Sequence, residues 1–260
     1  MTPVRLDRAL VERGLARSRS QAQELIRAGR VTLAGRSDLR PSDSVGDQDH
    51  LEARTDPYVS RAAHKLLGAL EDLDLGARVA EVSRALDAGS STGGFTQVLL
   101  ERGVGEVHAV DVGTDQLAPL LRDDPRVHVH EQTNLRDLTP ALLGDRPVDL
   151  VVADVSFISL TLLLERFAAV TAADGWWLLM VKPQFEVGRA ALGPGGVVRD
   201  PELHRRAVDD VAVAAAALGW HVRAVAPSRL PGPAGNREFF VHLARDGDVG
   251  PGPAWESSLC

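Results

Sequence analysis

Residues 86–95 read Leu86-Asp87-Ala88-Gly89-Ser90-Ser91-Thr92-Gly93-Gly94-Phe95. A short apolar run ends on an acidic residue, breaks into glycines and small hydroxyl residues, and resumes with helical spacing. That pattern is a strand turning into a helix. In open α/β folds ligands bind beyond the carboxyl ends of the strands, where such a turn lies. Glycines let a ligand approach the backbone, and Asp87 can bond the amine of a bound amino-acid moiety. The spacing Asp-x-Gly-x-x-x-Gly differs from the Gly-x-Gly-x-x-Gly of nicotinamide-binding turns. A turn of this composition can also serve close packing alone, so its surroundings must decide.

From residue 84 onward the alternation repeats. Runs over 84–88, 107–112, 126–131, 148–154, 176–182, 221–227 and 237–243 predict seven strands. Amphipathic runs over 94–101, 115–122, 160–170 and 202–218 predict helices between them, and alternating strands and helices give a mostly parallel sheet. The last two strands are joined only by residues 231–236, too short for a crossover helix, so the final strand runs antiparallel. The expected fold class is α/β, with a seven-stranded, mostly parallel sheet. Ahead of it, Ser60 can cap a helix that runs to Leu73 and carries Lys65. Residues 186–199, with four Gly and one Pro, predict a long loop of the kind that is usually functional.

The first 55 residues read as a separate α+β module. Leu6, Ala9, Leu10 and Arg13 share one helical face ended by Gly14. Ser18 and Gln21 give a capping pattern to a second helix with Ala22, Leu25 and Ile26 inside, ended by Gly29. Short strands are expected at 31–33 and 50–53. A unit of about fifty residues has few core positions, which suits docking rather than catalysis. The expected organisation is a head over 1–55, a linker over 56–60, a catalytic domain over 61–245 and a disordered Gly/Pro-rich tail over 246–260.

Charge separates the same regions. The chain carries −7 overall, yet residues 1–40 hold nine Arg against four acidic residues, a balance of +5 that leaves −12 for the rest. A basic head on an acidic body suits a module that meets phosphates, although a solvated basic helix face gives the same count. Phosphate contacts are expected from Arg5, Arg8, Arg17, Arg19 and Arg30. No apolar run approaches the roughly 20 residues that span a bilayer, and residues 1–14 lack the apolar stretch of a signal peptide. The one cysteine, Cys260, excludes an internal disulfide and a Cys-based metal cluster. A cytoplasmic, monomeric protein without membrane or metal is the expectation.

The 29 cationic side chains comprise 27 Arg and only two Lys, Lys65 and Lys182. Most surface sites accept either cation, so lysines that persist are candidates for sites needing a compact ammonium, chance survival being the alternative. Lys182 closes a predicted strand just before Pro183, Asp154 closes another, and Glu238 opens the last. A lysine among carboxylates can act on a hydroxyl, whereas each carboxylate taken singly also serves as a structural cap. Asp111 lies about 20 residues past the glycines, where a ribose diol is typically held. Asn134, after the third strand, can reach an adenine edge or merely shape its loop.

Five ordered stretches carry a resemblance: Val59 to Leu66, Asp87 to Phe95, Asp154 to Leu160, Val181 to Glu186 and Gly235 to Phe240. With them the chain resembles the TlyA family of ribosomal RNA 2′-O-methyltransferases, whose catalytic domain is of the FtsJ type. The head resembles the RNA-binding module of small-subunit ribosomal protein four. The resemblance covers residues 4–244 and implies a Rossmann-like methyltransferase that uses S-adenosylmethionine. Its Lys-Asp-Lys-Glu tetrad falls on Lys65, Asp154, Lys182 and Glu238. It implies cofactor contacts from Asp87, Gly89, Ser91, Thr92, Gly93, Gly94, Phe95, Asp111, Asn134, Asp154 and Phe157, and puts Arg5 and Arg19 first among the RNA-binding positions. The implied reaction methylates a cytidine ribose hydroxyl in RNA of one or both ribosomal subunits, an activity tied to capreomycin sensitivity. Lys182 would act as base or electrostatic activator, Asp154 would orient it, and Lys65 with Glu238 would complete the charge network.

Three rival functions are open to sequence. A non-catalytic ribosome-assembly factor could keep this fold. A membrane-active cytolysin is suggested by relatives labelled haemolysin, but finds no membrane-type amphipathic helix here. A small-molecule or protein methyltransferase leaves the basic head unexplained.

Overall fold

A computed structural model of the chain describes residues 3–16, 18–54 and 56–245. Arg17 and the tail over 246–260, both subjects of expectations above, lie outside the described residues. The chain divides into two compact units, 1–57 and 58–260.

In the first unit β1 (Val4–Arg5) runs directly into α1 (Leu6–Glu12), followed by α2 (Arg19–Arg27), β2 (Val31–Leu33), β3 (Ser44–Val45) and β4 (Leu51–Ala53). The Ser18 hydroxyl accepts the Gln21 N–H at 3.3 Å and so caps α2. β1 pairs with β3 and β2 with β4, both antiparallel. Leu6, Leu10, Ala22, Leu25, Ile26 and Val31 form the core expected from the two helical faces. β1 and β3 are additions to the expected elements, because two-residue strands leave no alternation to read.

The second unit opens with α3 (Ala62–Asp72) and a short α4 (Gly76–Ala80) that the sequence did not predict. There follow β5 (Arg84–Ala88), α5 (Gly94–Glu101), β6 (Glu106–Val110), α6 (Pro119–Arg122), β7 (Val127–His130) and β8 (Val148–Ala153). A 3-10 turn (Leu160–Leu162) leads into α7 (Leu164–Val170), then β9 (Thr171–Val181), α8 (Pro183–Glu186), α9 (Pro201–Ala216), β10 (Trp220–Pro227) and β11 (Phe239–Arg245). The sheet order is β10-β11-β9-β8-β5-β6-β7. β11 runs antiparallel to both of its neighbours, and the remaining pairs are parallel.

Two expectations at helix starts are corrected. Ser60 does not cap α3, which begins at Ala62 after an Arg61 that makes no side-chain cap bond. The helix expected over 115–122 shrinks to its last turn. The Glu131 carboxylate, 14–16 residues downstream, takes the N–H groups of Asp115, Gln116 and Leu117 at 2.8, 2.9 and 3.1 Å, and Asp115 sits at φ +51°. That left-handed residue breaks the helical path, and Pro119, which takes the first position of α6, holds Ala118 extended at ψ +138°.

Alternate residues of β9 feed two separate cores, as the two-residue period of a strand requires. Trp177, Leu179 and Val181 pack with residues of α7 and α9, while Trp176, Leu178 and Met180 pack with residues of α3 and α5. Trp177 stacks on Trp220 with ring centroids 3.8 Å apart, meets the edge of Phe167 and donates its Nε1–H to Thr171 Oγ1 at 2.9 Å.

At the starting ends of β5 and β6 a buried guanidinium acts as a clamp. Arg84 donates to the Glu106 carboxylate at 2.9 and 3.0 Å and to the carbonyls of Leu143, Arg146 and Pro147. Its Nη2 also lies 2.8 Å from His108 Nε2, and His108 stacks against His128 and His130. Glu106, His108 and His128 thus bring three ligand-type atoms within 4.8 Å of one another, a convergence the sequence did not reveal. Arg84 occupies their shared acceptors, and a guanidinium so placed repels a metal cation. Burial first, then the Arg84 charge, pushes His108 down to about 4.

Two outcomes are expected. Trp177→Ala removes a fully buried ring from the stack and should cost about 3–5 kcal/mol in urea unfolding. The His108 imidazole gains its proton near 6.5 when unfolded but only near 4 when folded. It therefore stabilises above 6.5, and that contribution is lost as pH falls towards 4. The melting temperature should drop across this window, less steeply in His108→Gln; an identical slope in the variant assigns the acid sensitivity elsewhere.

Candidate active site

The turn after β5 is built by close approach. Gly89 has φ +84°, and a Cβ placed there would come within 3.1 Å of the Asp154 carbonyl oxygen and 3.3 Å of Val155 Cα. The ends of β5 and β8 can meet this tightly because no side chain intervenes. Ser91, at φ +46°, gives its N–H to Asp111 Oδ2 at 2.9 Å, and Asp111 Oδ1 takes the Gly113 N–H at 2.7 Å. Asp111 therefore follows β6 by one residue and ties the loop after β5 to the loop after β6. Gln116 joins them by accepting the Ser91 hydroxyl at 3.1 Å.

Three residues expected at the cofactor do other work. Asp87 is fully buried and lines neither of the two cavities described below. Its Oδ2 accepts the Thr96 hydroxyl at 2.7 Å, while its Oδ1 is buried without a hydrogen-bond partner. Burial, opposed by the bonds from Thr96 and reinforced by Asp154 and Asp111, pushes its carboxyl up to about 7. Through Thr96 it braces the turn from beneath. Gly93, at φ +94°, faces the Leu117 and Leu121 side chains, which would collide with a Cβ. Gly94 faces Ser60 Oγ and the Ala63 backbone, so its lack of a side chain lets α3 pack on α5. Neither glycine lines the two cavities described below.

Two cavities open at this end of the sheet. The first, of about 530 Å³, is lined by Gly89, Ser91, Asp111, Gln116, Asn134 and Phe157 among others. Asn134 Oδ1 accepts the Arg136 N–H at 3.0 Å, which leaves its amide hydrogens available for a ligand. Phe157 is 91% exposed at φ +65° and leans on Phe185 with centroids 5.2 Å apart. The second cavity, of about 470 Å³, is lined by Arg61, Lys65, Thr92, Phe95, Lys182 and Pro233 among others. Gly89, Ser91, Asp154 and Ser156 border both.

The four tetrad positions come together as two ion pairs. Lys182, directly after β9, places Nζ 2.6 Å from Asp154 Oδ1 and donates to Ser156 Oγ at 2.9 Å. Lys65, on α3, places Nζ 2.6 Å from Glu238 Oε2, with Met180 Sδ at 3.8 Å. The lysine side chains are 8% and 7% exposed. Glu238 lies behind Lys65, walled in by the Gly232 turn, and lines neither cavity. Ser156 and Gln116 were not singled out from sequence. Ser156 stood inside a quoted stretch, two residues past Asp154, but a serine there carries no spacing signal; Gln116 is brought in by the loop that Glu131 bends.

In the head Arg5 and Arg19 both reach Asp7, Arg8 pairs with Glu12 at 2.7 Å on the exposed helix face, and Arg30 is exposed.

Comparison with known proteins agrees with this geometry. A family model described as FtsJ-like methyltransferase matches residues 58–245, and one described as S4 domain matches residues 4–51. The chain is 53% identical over 247 residues to the 16S/23S rRNA (cytidine-2′-O)-methyltransferase TlyA of Mycobacterium tuberculosis, covering 94% of this chain and 91% of that protein. It is 34% identical over 256 residues to the 23S rRNA (cytidine-2′-O)-methyltransferase TlyA of Campylobacter jejuni, covering 91% and 98%. A solved structure described as a hemolysin from Streptococcus thermophilus superposes with a TM-score of 0.74 at 35% identity, covering 100% of this chain and 94% of that one. Among the described residues no helix is long and apolar enough to cross a membrane. The chain belongs to the FtsJ-like methyltransferase family and, within it, to the TlyA group that joins this domain to an S4 domain.

Proposed function

We propose that the chain transfers the methyl group of S-adenosylmethionine to the 2′-hydroxyl of a cytidine in ribosomal RNA. The observation that carries this is the meeting of the two cavities at Gly89 and Asp154, with Lys182 Nζ held 2.6 Å from the Asp154 carboxylate. The names of the Mycobacterium and Campylobacter relatives supply the cytidine and the ribosomal RNA. The S4 match supports the head, with Arg5, Arg8, Arg17, Arg19 and Arg30, as the part that docks on RNA phosphates. Ribosomal RNA places the work in the cytoplasm.

The first cavity fits the methyl donor. Gly89 brings bare backbone to its wall, and Asp111 holds Ser91 and Gly113 with one oxygen each, keeping lone pairs for a ribose diol. Asn134 would reach the adenine edge with its amide hydrogens. When bound, the donor supplies an electrophilic sulfonium methyl at the junction of the cavities. Lys182 lines the second cavity, where as a neutral amine it would take the proton of an incoming hydroxyl onto Nζ, and as an ammonium it would hold the developing alkoxide while the proton passes to solvent. Asp154 and Ser156 fix where that amine points, and Lys65 with Glu238 places a second buried pair close by. Holding hydroxyl and methyl in near-attack geometry is worth about 7–11 kcal/mol, so position supplies much of the rate.

The test is transfer of labelled methyl to 16S and 23S RNA, to subunits and to whole ribosomes. Label should be found on ribose and fall about 100-fold or more in Lys182→Ala. Label on a base, or label undiminished in the variant, overturns the mechanism. Cofactor binding without transfer to any of these RNAs would make the protein a non-catalytic assembly factor.

A further inference from the structure

A buried aspartate sits at the centre of the basic head. Asp7, on the first turn of α1, is 0% exposed, although it belongs to a surface rich in arginine. Arg5 donates Nε to Asp7 Oδ1 and Nη2 to Oδ2, each at 3.1 Å. Arg19 Nη2 and Gln23 Nε2 donate to the same Oδ2 at 3.0 Å. Four donors from three residues on two elements thus converge on one carboxylate. Arg5 and Arg19 remain 52% and 60% exposed, so the edges of their guanidinium groups turned away from Asp7 face solvent. The other arginines described here are held differently. Arg8 pairs with Glu12 along an exposed helix face, and Arg13 donates to the carbonyls of Gly46 and Asp49.

An anion inside a phosphate-binding face weakens binding by simple Coulomb repulsion. Asp7 is also fully desolvated, which opposes its charge, and the bonds from Arg5, Gln23 and Arg19 hold its carboxyl below the usual range. The arrangement makes sense if ordering outweighs repulsion. A free arginine must give up rotamer freedom when it meets a phosphate, whereas these two already hold their planar forks in place. Resting on the RNA-docking function above, we propose that Asp7 is the positioning residue that gathers the RNA-facing Arg5 and Arg19, with Gln23, into one phosphodiester-binding fork. Its ligand is one backbone phosphate of structured RNA, bound through guanidinium edges that the carboxylate aligns.

The sign of one substitution tests this. Asp7→Asn raises the net charge by one, so a diffuse-charge surface predicts unchanged or tighter RNA binding. A positioned fork predicts binding of labelled, deproteinised 23S RNA about tenfold weaker, with the slope of log K against log salt shallower by about one. Arg5→Lys/Arg19→Lys in the full chain keeps both charges and Asp7 but loses the forks, and should likewise bind about tenfold more weakly. It decides the matter even where Asp7→Asn melts the head. Asp7→Asn binding as well as or better than wild type with its head still folded, or the double variant binding as well as wild type, overturns the positioning role. A wild-type chain with no salt-sensitive affinity for the RNA overturns the docking function and this site with it.

Discussion

Two strand ends must nearly touch for this site to exist. At Gly89 the turn leaving β5 lies against the backbone leaving β8, so close that a Cβ would come within 3.1 Å of the Asp154 carbonyl oxygen, and its φ of +84° disfavours a side chain as well. That contact sets the wall between the two cavities, fixes where Asp154 emerges, and through Asp154 sets where the Lys182 amine is held. The parallel register of β8 with β5 and β9 then does the rest, because neighbouring parallel strands deliver their final residues to one edge.

Burial makes the charged groups mutually dependent. An ammonium and a carboxylate taken out of water are tolerable as a pair, and removing one partner from such a pair typically costs about 3–5 kcal/mol. Both lysines of the chain are in this state, each matched to one carboxylate. Asp87 is the contrasting case: buried among other carboxylates with no cation, it answers by holding its proton to about 7. The same physics therefore gives close buried pairs at the cavity and, beneath it, a carboxyl that keeps its proton up to about 7.

The sheet was legible in sequence because strand-like runs alternate with helical ones from residue 84 onward and the turn after β5 is rich in glycine. Scarcity of lysine drew attention to Lys65 and Lys182, and both prove buried and paired. What sequence missed has a common cause, namely a side chain acting far from its own segment. Glu131 ties down the loop 14–16 residues upstream, Gly93 and Gly94 serve neighbours on α6 and α3, and Glu106 meets His128 on the adjacent strand. Local periodicity carries no trace of such contacts. Depth is hidden for a related reason: a motif gives the order of residues along a turn, not how far a side chain such as that of Asp87 lies below it.

The reversal of β11 has an effect on timing. A parallel strand would start at the far end of the sheet, but an antiparallel one starts at the edge where its neighbours finish. Glu238, immediately before Phe239, is thereby handed to Lys65 across 173 residues of chain. During synthesis the lysine is made 173 residues before its counter-ion. A nascent polypeptide that has not yet reached β11 holds an amine with no carboxylate to receive it, so the second charge pair forms only after the rest of the sheet has been made.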